Sequence, residues 1–244
     1  MEKRREQLLD MLRERLFMTV TAISKALFAS EATIRRDLIA LEKLGLIRRC
    51  HGGAEILNPR KVKPVWTLNA RQDVSAKREI ARQAAGLVRD GSTLYLDSSS
   101  TAKHVLPFLE GMKLTIFTNC LETAQQAAEM GFDTFLTGGQ VNAASRCCQG
   151  AMVQRLLGNI HVDMMFFSVT ALSETGELTH NSAEAVDLLR AMLGRARASY
   201  LLCAASKMGL RATYNVCSCT ELSGVIAERP LPGIVNQLPI PEKT

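Results

Sequence analysis

No stretch of the 244 residues approaches the roughly 20 consecutive apolar positions that a membrane-spanning helix needs. No membrane partner is expected. The opening residues, Met1 to Gln7, are charged and lead into an amphipathic segment, so no secretory signal is expected and the chain is placed in the cytoplasm. Also missing is any Cys-x-x-Cys. The seven cysteines stand at 50, 120, 147, 148, 203, 217 and 219, a spacing that matches no common zinc pattern and, without export, no disulfide framework. Reduced, mostly buried thiols behaving as small hydrophobes are the expectation. Cys147 with Cys148, or Cys217 with Cys219, would hold a metal only beside His161 or His180; neither a metal nor a cofactor is expected.

An excess of one charge is scarce overall, at +6, but it is unevenly spread. The first 63 residues carry 14 Lys and Arg against 8 Asp and Glu, and the other 181 are balanced at 16 of each. A basic N-terminal module on a neutral body is the footprint of a small domain that docks on phosphates. Two domains suit this length, since domains mostly hold roughly 100 to 150 residues.

Leu8, Leu9, Leu12 and Leu16 recur at helical spacing over residues 3–16. Phe17 to Val20 can pair as a short strand, and Thr21 is placed to cap a second helix with Ile23, Ala26 and Leu27 on its apolar face. Ser30 then opens a third helix as N-cap, running to about Leu44 with Gly45 as its stop. Ile34, Leu38 and Leu41 face inward, which turns Thr33, Arg35 and Arg36 outward. This is a helix-turn-helix whose third helix presents its first turns to a major groove. Arg35 and Arg36 are the candidates for base reading, because a guanidinium bonds O6 and N7 of guanine together. The plain alternative is an Arg36–Asp37 pair on a solvated face. Leu46 to Cys50 and Ala54 to Leu57 form a hairpin about His51-Gly52-Gly53, a wing whose Arg48, Arg49 and His51 can reach phosphate or the minor groove. His51 reads equally well as a turn residue.

The run Ser30-x-x-Thr33-Ile34-Arg35-Arg36-Asp37-Leu38, with Leu41-Glu42-x-Leu44-Gly45 and Arg48-Arg49-x-His51-Gly52-Gly53-Ala54, resembles the winged helix-turn-helix of the DeoR family of bacterial sugar-metabolism regulators. It spans residues 1–57. The basic, proline-bearing stretch from Asn58 opens a linker over 58–76, and a larger domain is expected over 77–244. There strand and helix signals alternate, which builds a mostly parallel, Rossmann-like α/β sheet with ligands bound outside the carboxyl ends of its strands. Those ends carry polar residues: Asp97-Ser98-Ser99-Ser100-Thr101, Thr118-Asn119, Thr137-Gly138-Gly139-Gln140 and Ser168-Val169-Thr170. A hydroxyl-rich turn opening a helix offers amides, hydroxyls and a helix dipole to a phosphate, and Gly138-Gly139 allows close backbone approach.

This half resembles the sensor domain of the same family, similar in fold to ribose-5-phosphate isomerase. The matches run from Gly91-x-x-Leu94-x-Leu96-Asp97-Ser98 through Asn119, Gly138-Gly139, Gly150, Asp163 and Gly176 to Ser206-Lys207. The resemblance implies a regulator, by preference a repressor, that binds double-stranded DNA and a phosphorylated sugar, with Asp97, Ser100, Thr101, Asn119, Gly139 and Lys207 lining the effector site. The sequence departs from the family pattern at Ser99, at Ala204-Ala205 and at Ile226-Ala227-Glu228. A regulator with a non-responsive sensor domain therefore stays open as the alternative. So does a sugar-phosphate isomerase using Asp97 or Glu184 as a base, although no second acid or base stands at a telling spacing and no enzyme is expected. A homo-oligomer is expected because one small DNA-binding module gives little specificity; an effector would change the spacing of paired recognition helices.

Overall fold

The N-terminal helix α1 (Glu2–Arg15) is held by Leu8 and Leu12, both fully out of water, against Ile23 of α2 (Val20–Ala26) and Ile34, Leu38 and Leu41 of α3 (Glu31–Lys43). The computed structural model describes residues 2–15, 17–43, 46–50, 52–56, 72–143 and 145–241. The expectations for Leu16, for the Leu44-Gly45 stop, for His51 and for linker residues 57–71 lie outside them. The chain divides into two compact units, Met1–Lys63 and Pro64–Thr244.

In the first unit, β1 (Phe17–Thr19), β2 (Ile47–Cys50) and β3 (Gly53–Ile56) form an antiparallel sheet in the order β1-β3-β2. Thr19 lies opposite Gly53, where a Cβ would come within 2.4 Å of the Met18 carbonyl oxygen, so glycine is required for β3 to approach β1. The positive φ that turns the hairpin belongs to Gly52, at +80°. The second helix is capped earlier than expected. Thr19, in extended backbone, accepts from the Ala22 N–H at 3.2 Å, and Thr21 sits inside the first turn. Strand β1 runs into α2 without a loop, which is why a hydroxyl two residues upstream does the capping.

Asp37 corrects the plain reading of α3. It is 1% exposed and turned inward, where Arg4 Nε and Arg5 Nε donate to its two carboxylate oxygens at 2.7 and 2.8 Å. Burial alone would raise its pKa, but the hydrogen bonds and charges of the two arginines outweigh burial and hold it below the usual aspartate value. An Arg36–Asp37 surface pair is thus ruled out, and a two-arginine clamp ties α1 to α3.

The second unit opens with α4 (Val74–Ala85), so the helix starts three residues before Lys77 and the linker ends sooner than residue 76. Its first turn buries no apolar side chain, so the hydrophobic period becomes visible only from Lys77 and Ile80 onward. Six strands follow in one sheet: β4 (Thr93–Leu96), β5 (Thr115–Thr118), β6 (Asp133–Leu136), β9 (Val162–Phe167), β12 (Ala196–Leu202) and β14 (Gly224–Ile226). Their order is β14-β12-β9-β4-β5-β6 and every pairing is parallel. Ranked by their place in the chain, that is the 3-2-1-4-5-6 order of a dinucleotide-binding fold. Apolar clusters cover both faces, as a parallel sheet demands: one around Tyr95, Phe167 and Leu201, the other around Leu96, Ile116 and Phe166.

Between strands lie the helices α5 (Ser100–Lys103), α6 (Leu121–Glu129), α7 (Ala151–Leu157) and α8 (Ala183–Leu193). The apolar run through Leu109 does not make one long helix: α5 lasts four residues and a 3-10 turn, Leu106–Leu109, follows with Pro107 in its first turn. Two elements had no forecast. A hairpin joins β7 (Gln140–Asn142) to β8 (Cys147–Gln149), and an antiparallel sheet orders β10 (Ala171–Leu172), β11 (Glu177–His180) and β13 (Tyr214–Ser218) as β10-β11-β13. Five of the seven cysteines are buried, Cys147 is half-buried and Cys50 is exposed. Among the described residues no helix is long and apolar enough to cross a membrane.

Candidate functional site

The first helix-turn-helix feature is a local knot of hydroxyls. Ser30 Oγ accepts from the Thr33 N–H at 3.3 Å and lies 2.9 Å from the Thr33 hydroxyl, so Ser30 caps α3 as expected. Across the turn, Thr21 donates to Glu31 Oε1 at 2.8 Å, joining α2 to α3. Arg35 pairs with Glu31 one turn back at 3.2 Å, whereas Arg36 is exposed and makes no hydrogen bond or ion pair among the described residues. On the wing, Arg48 Nε donates to Glu55 Oε1 at 2.5 Å across the hairpin. Arg49 Nε donates to Glu42 Oε2 of α3 at 2.6 Å, and its backbone N–H to Oε1 at 3.0 Å. Arg35 and Arg49 line a shallow hollow of about 270 Å³ with Val20, Leu38, Cys50, Gly52 and Gly53, between α3 and the wing. Both side-chain sets therefore share one basic surface.

In the second unit the chain leaves β4 toward β5 on one side and returns through β9 on the other, so the carboxyl ends of β4 and β9 bracket the point where the winding reverses. Asp97 directly follows β4 and Ser168 directly follows β9. The Asp97 carboxylate accepts from the Ser99 N–H at 3.0 Å and hydroxyl at 2.5 Å through Oδ1, and from the Ser168 N–H at 3.2 Å through Oδ2. Lys207, in the turn after β12, donates to Ser168 Oγ at 2.8 Å and to the Val169 carbonyl at 2.6 Å. Ser98 is half-buried, and Ser100 and Thr101 are buried at the start of α5, where first-turn N–H groups have no intrahelical acceptor. Because α5 is a single turn, its dipole is far smaller than a long helix would supply.

Asn119 and Gly139 are committed to the scaffold. Asn119 Oδ1 accepts from the Tyr95 hydroxyl at 3.1 Å and its Nδ2 donates to the Cys148 carbonyl at 3.3 Å. A Cβ on Gly139 would meet the Gln149 carbonyl at 2.8 Å, so its lack of side chain serves the β7–β8 hairpin, while Gly138 faces open space. Glu184 is exposed at the start of α8 and accepts from the Ser182 hydroxyl at 2.8 Å; hydrogen bonding to its own amide and then to Ser182 lowers its pKa. A base poised for proton abstraction needs the opposite shift.

Electrostatics single out Asp97 and two lysines. Burial pushes Asp97 up to about 6, against the hydrogen bonds of Ser99 and Ser168 and the charge of Lys207. Lys207 is lowered, chiefly by burial. Lys77, on α4 and 4% exposed, was not among the expected site residues; burial and then the charge of Lys207 bring it down to about 8. His180 is lowered by burial and again by Lys207. A lysine on the inward stripe of α4, three residues before the fully buried Ile80, was the sequence signal for Lys77. Glu228 was noted only as a departure from the family pattern. Its carboxylate oxygens accept from the Ala205 N–H at 3.2 and 3.1 Å, bringing an acid to the turn that carries Lys207 and lacks one at Ala204.

A winged helix-turn-helix joined to a Rossmann-ordered domain with charged groups gathered at its switch point has the build of a two-part DNA-binding transcription regulator. Comparison with known families narrows this. Residues 4–60 match the DeoR-like helix-turn-helix domain and residues 72–229 the DeoR C terminal sensor domain, and the chain belongs to the DeoR family. It is 30% identical over 231 residues to the HTH-type transcriptional regulator GolR of Listeria innocua, covering 94% of this chain and 91% of that one. It is 31% identical over 232 residues to the lactose phosphotransferase system repressor of Streptococcus mutans, covering 93% and 92%. The HTH-type transcriptional repressor GlcR of Bacillus subtilis is 29% identical over 229 residues, with 93% and 88% covered. Among solved structures, eIF2B delta from Chaetomium thermophilum matches at TM-score 0.50 and 18% identity over 67% of this chain and 59% of that one, a likeness of fold. Ribose 5-phosphate isomerase A from Methanocaldococcus jannaschii matches at TM-score 0.43 and 18% identity, over 56% and 55%.

Proposed function

We propose that this protein is a cytoplasmic repressor of a sugar-metabolism operon, reading DNA with α3 and the wing and responding to a phosphorylated sugar at the crevice beside Asp97. The observation that carries the effector half is the placement of Lys77 and Lys207: both ammonium groups are depressed chiefly by burial, Lys77 further by the charge of Lys207, and a bound anion relieves both. A phosphate supplies that charge. Ser98 and the amides of Ser100 and Thr101 add neutral donors, Asp97 accepts from a sugar hydroxyl, and Asn119, Gly138 and Gly139 hold the floor from the neighbouring strands. The names of the relatives, two of them repressors, support repression.

On the DNA side Arg36 is the first candidate for base contact, being the unpaired guanidinium on the exposed face of α3. Arg35, Arg48 and Arg49 each hold a surface carboxylate, and solvent screens such exposed pairs, so phosphates can replace those partners at small cost. Ser30, Thr33 and His51 complete the backbone contacts. Catalysis is not part of this reading: the relatives are named as transcription regulators, and Glu184 accepts from the Ser182 hydroxyl that caps α8 and titrates below its ordinary value.

The test is selection of a binding site from random-sequence DNA, followed by titration with wild type and the double variant Arg35→Ala, Arg36→Ala. Selective binding that the double variant loses supports the assignment; equal, weak binding by both overturns it. A second reading, a sensor that no longer responds, rests on the Ala204 departure. It predicts no thermal shift with any phosphorylated sugar, and turnover of ribose 5-phosphate by the pure protein would overturn the non-enzymatic reading.

A further inference from the structure

Two of the seven cysteines stand directly opposite each other. Cys120, just past the carboxyl end of β5, is the Cα partner of Cys147, the first residue of β8, in an isolated antiparallel bridge. The bridge is framed on both sides: the Leu121 N–H donates to the Arg146 carbonyl at 3.0 Å and the Cys148 N–H to the Asn119 carbonyl at 2.7 Å. Those two bonds enclose the cysteines as a non-hydrogen-bonded pair, whose side chains share one face. Residues so placed lie about 4.5 Å apart at Cα, within the roughly 4.4–6.8 Å that a disulfide spans. Cys148 is no rival for this pairing. By alternation along β8 its side chain turns to the other face, into the core that holds Val153 and Leu157.

Both thiols are free in the structure, and they differ in access: Cys120 is fully buried and Cys147 is half-buried. The Ser145 hydroxyl lies 2.8 Å from the Cys147 sulfur, and the Ser98 side chain also hydrogen-bonds it, within reach of the Asp97 charge.

We propose that Cys120 and Cys147 form a reversible disulfide, a modification site whose oxidant is a low-molecular-weight disulfide. The Cys147 thiolate attacks one sulfur of the small disulfide, giving a mixed disulfide and expelling one small thiolate. The Cys120 thiolate then attacks the Cys147 sulfur and expels the other. The two cysteine protons end on the two released thiolates, so two protein thiols are oxidised to one disulfide while one small disulfide is reduced to two thiols. Burial raises both protein thiols above their ordinary value, so exchange is slow, and register selects the pair where nucleophilicity does not. The bond ties the start of β8 to the end of β5 and fixes the β7–β8 hairpin beside Asn119. Neither the DNA-binding nor the effector reading is needed for it.

The test equilibrates the reduced full chain with oxidised glutathione at rising ratios to reduced glutathione, traps free thiols with an alkylating reagent and maps the peptides by mass spectrometry. Trypsin cuts the denatured chain after Lys113, Arg146 and Arg155, so Cys120 and Cys147 fall in separate peptides, 114–146 and 147–155. The expected result is the joint loss of two thiols with those two peptides linked. Cys148→Ser keeps the link, Cys147→Ser abolishes it, and Cys120→Ser accumulates glutathione on Cys147. All thiols free at the most oxidising ratio, a link kept by Cys147→Ser and lost in Cys148→Ser, or glutathione held on wild-type Cys147 without a link would overturn the proposal. Should a variant fail to fold, fragmentation of the linked wild-type peptides decides between Cys147 and Cys148.

Discussion

Each unit of this protein buries an aspartate, and the two are treated in opposite ways. Asp37 is met by two guanidiniums at 2.7 and 2.8 Å and titrates below its ordinary value. Asp97 is met by a hydroxyl and two backbone amides, with the Lys207 charge as a lesser influence, and burial lifts it to about 6. The first carboxylate is fully neutralised by the fold and acts as a fastener between α1 and α3. The second is left partly uncompensated beside Lys207, which is itself depressed, an arrangement that costs stability.

The largest effect that would break this contrast is Asp37→Ala. It leaves two guanidiniums facing a loss of their acceptor at the α1–α3 contact, and the N-terminal unit should lose about 3 kcal/mol, read as a lower denaturation midpoint with DNA binding lost at moderate temperature. An unmoved midpoint would show that the clamp is ornamental. The pH dependence sharpens the contrast further. Because the folded pKa of Asp97 lies above its unfolded value of 3.8, the folded state holds the extra proton; sensor stability should fall by about 2–3 kcal/mol as pH rises from 3.8 to about 6 and stay level above that. Asp37 has the reverse sign. Its stabilisation is full above 3.8 and fades as pH drops through its lowered folded value, so denaturation at a series of pH values should show Asp97→Asn flattening one slope and Asp37→Asn the other.

Next in size is the groove-facing surface. Arg36→Ala should weaken selective DNA binding by about 1–3 kcal/mol while leaving the salt slope nearly unchanged, whereas Arg48→Ala should lower that slope by about one and cost all sequences alike. Binding titrations at several salt concentrations separate the two. The smallest expected effect is at Glu184→Gln, which should keep the wild-type thermal transition and leave any sugar-phosphate response unchanged. A changed response would move the site away from Asp97.

The two units also differed in how readily their sequences could be read. In the first, Ser30, the inward Ile34, Leu38 and Leu41, and the outward arginines were legible because local capping and helical period decide them. Asp37 was not, because its partners Arg4 and Arg5 come from a helix some thirty residues earlier. In the second, the alternation of strand and helix signals made the parallel sheet legible, and the polar strand ends Asp97 and Ser168 directly follow β4 and β9. Lys77 escaped because an amphipathic pattern reads lysine as solvated, and nothing local reveals a second lysine arriving from residue 207. The β10-β11-β13 sheet escaped for a similar reason: its strands are two to five residues long and pair across long separations.

The central claim is that the Asp97–Lys207 crevice governs the DNA-binding unit. Its most direct test is DNA binding to the selected site, followed by fluorescence anisotropy, with a panel of phosphorylated sugars and their unphosphorylated parents, for wild type and Lys207→Ala. The account predicts that one phosphorylated sugar, and not its parent, weakens wild-type binding about tenfold or more, a coupling of at least about 1.4 kcal/mol, and that Lys207→Ala abolishes the response while still binding DNA. A response equal in both proteins, or none with any phosphorylated sugar, would contradict it.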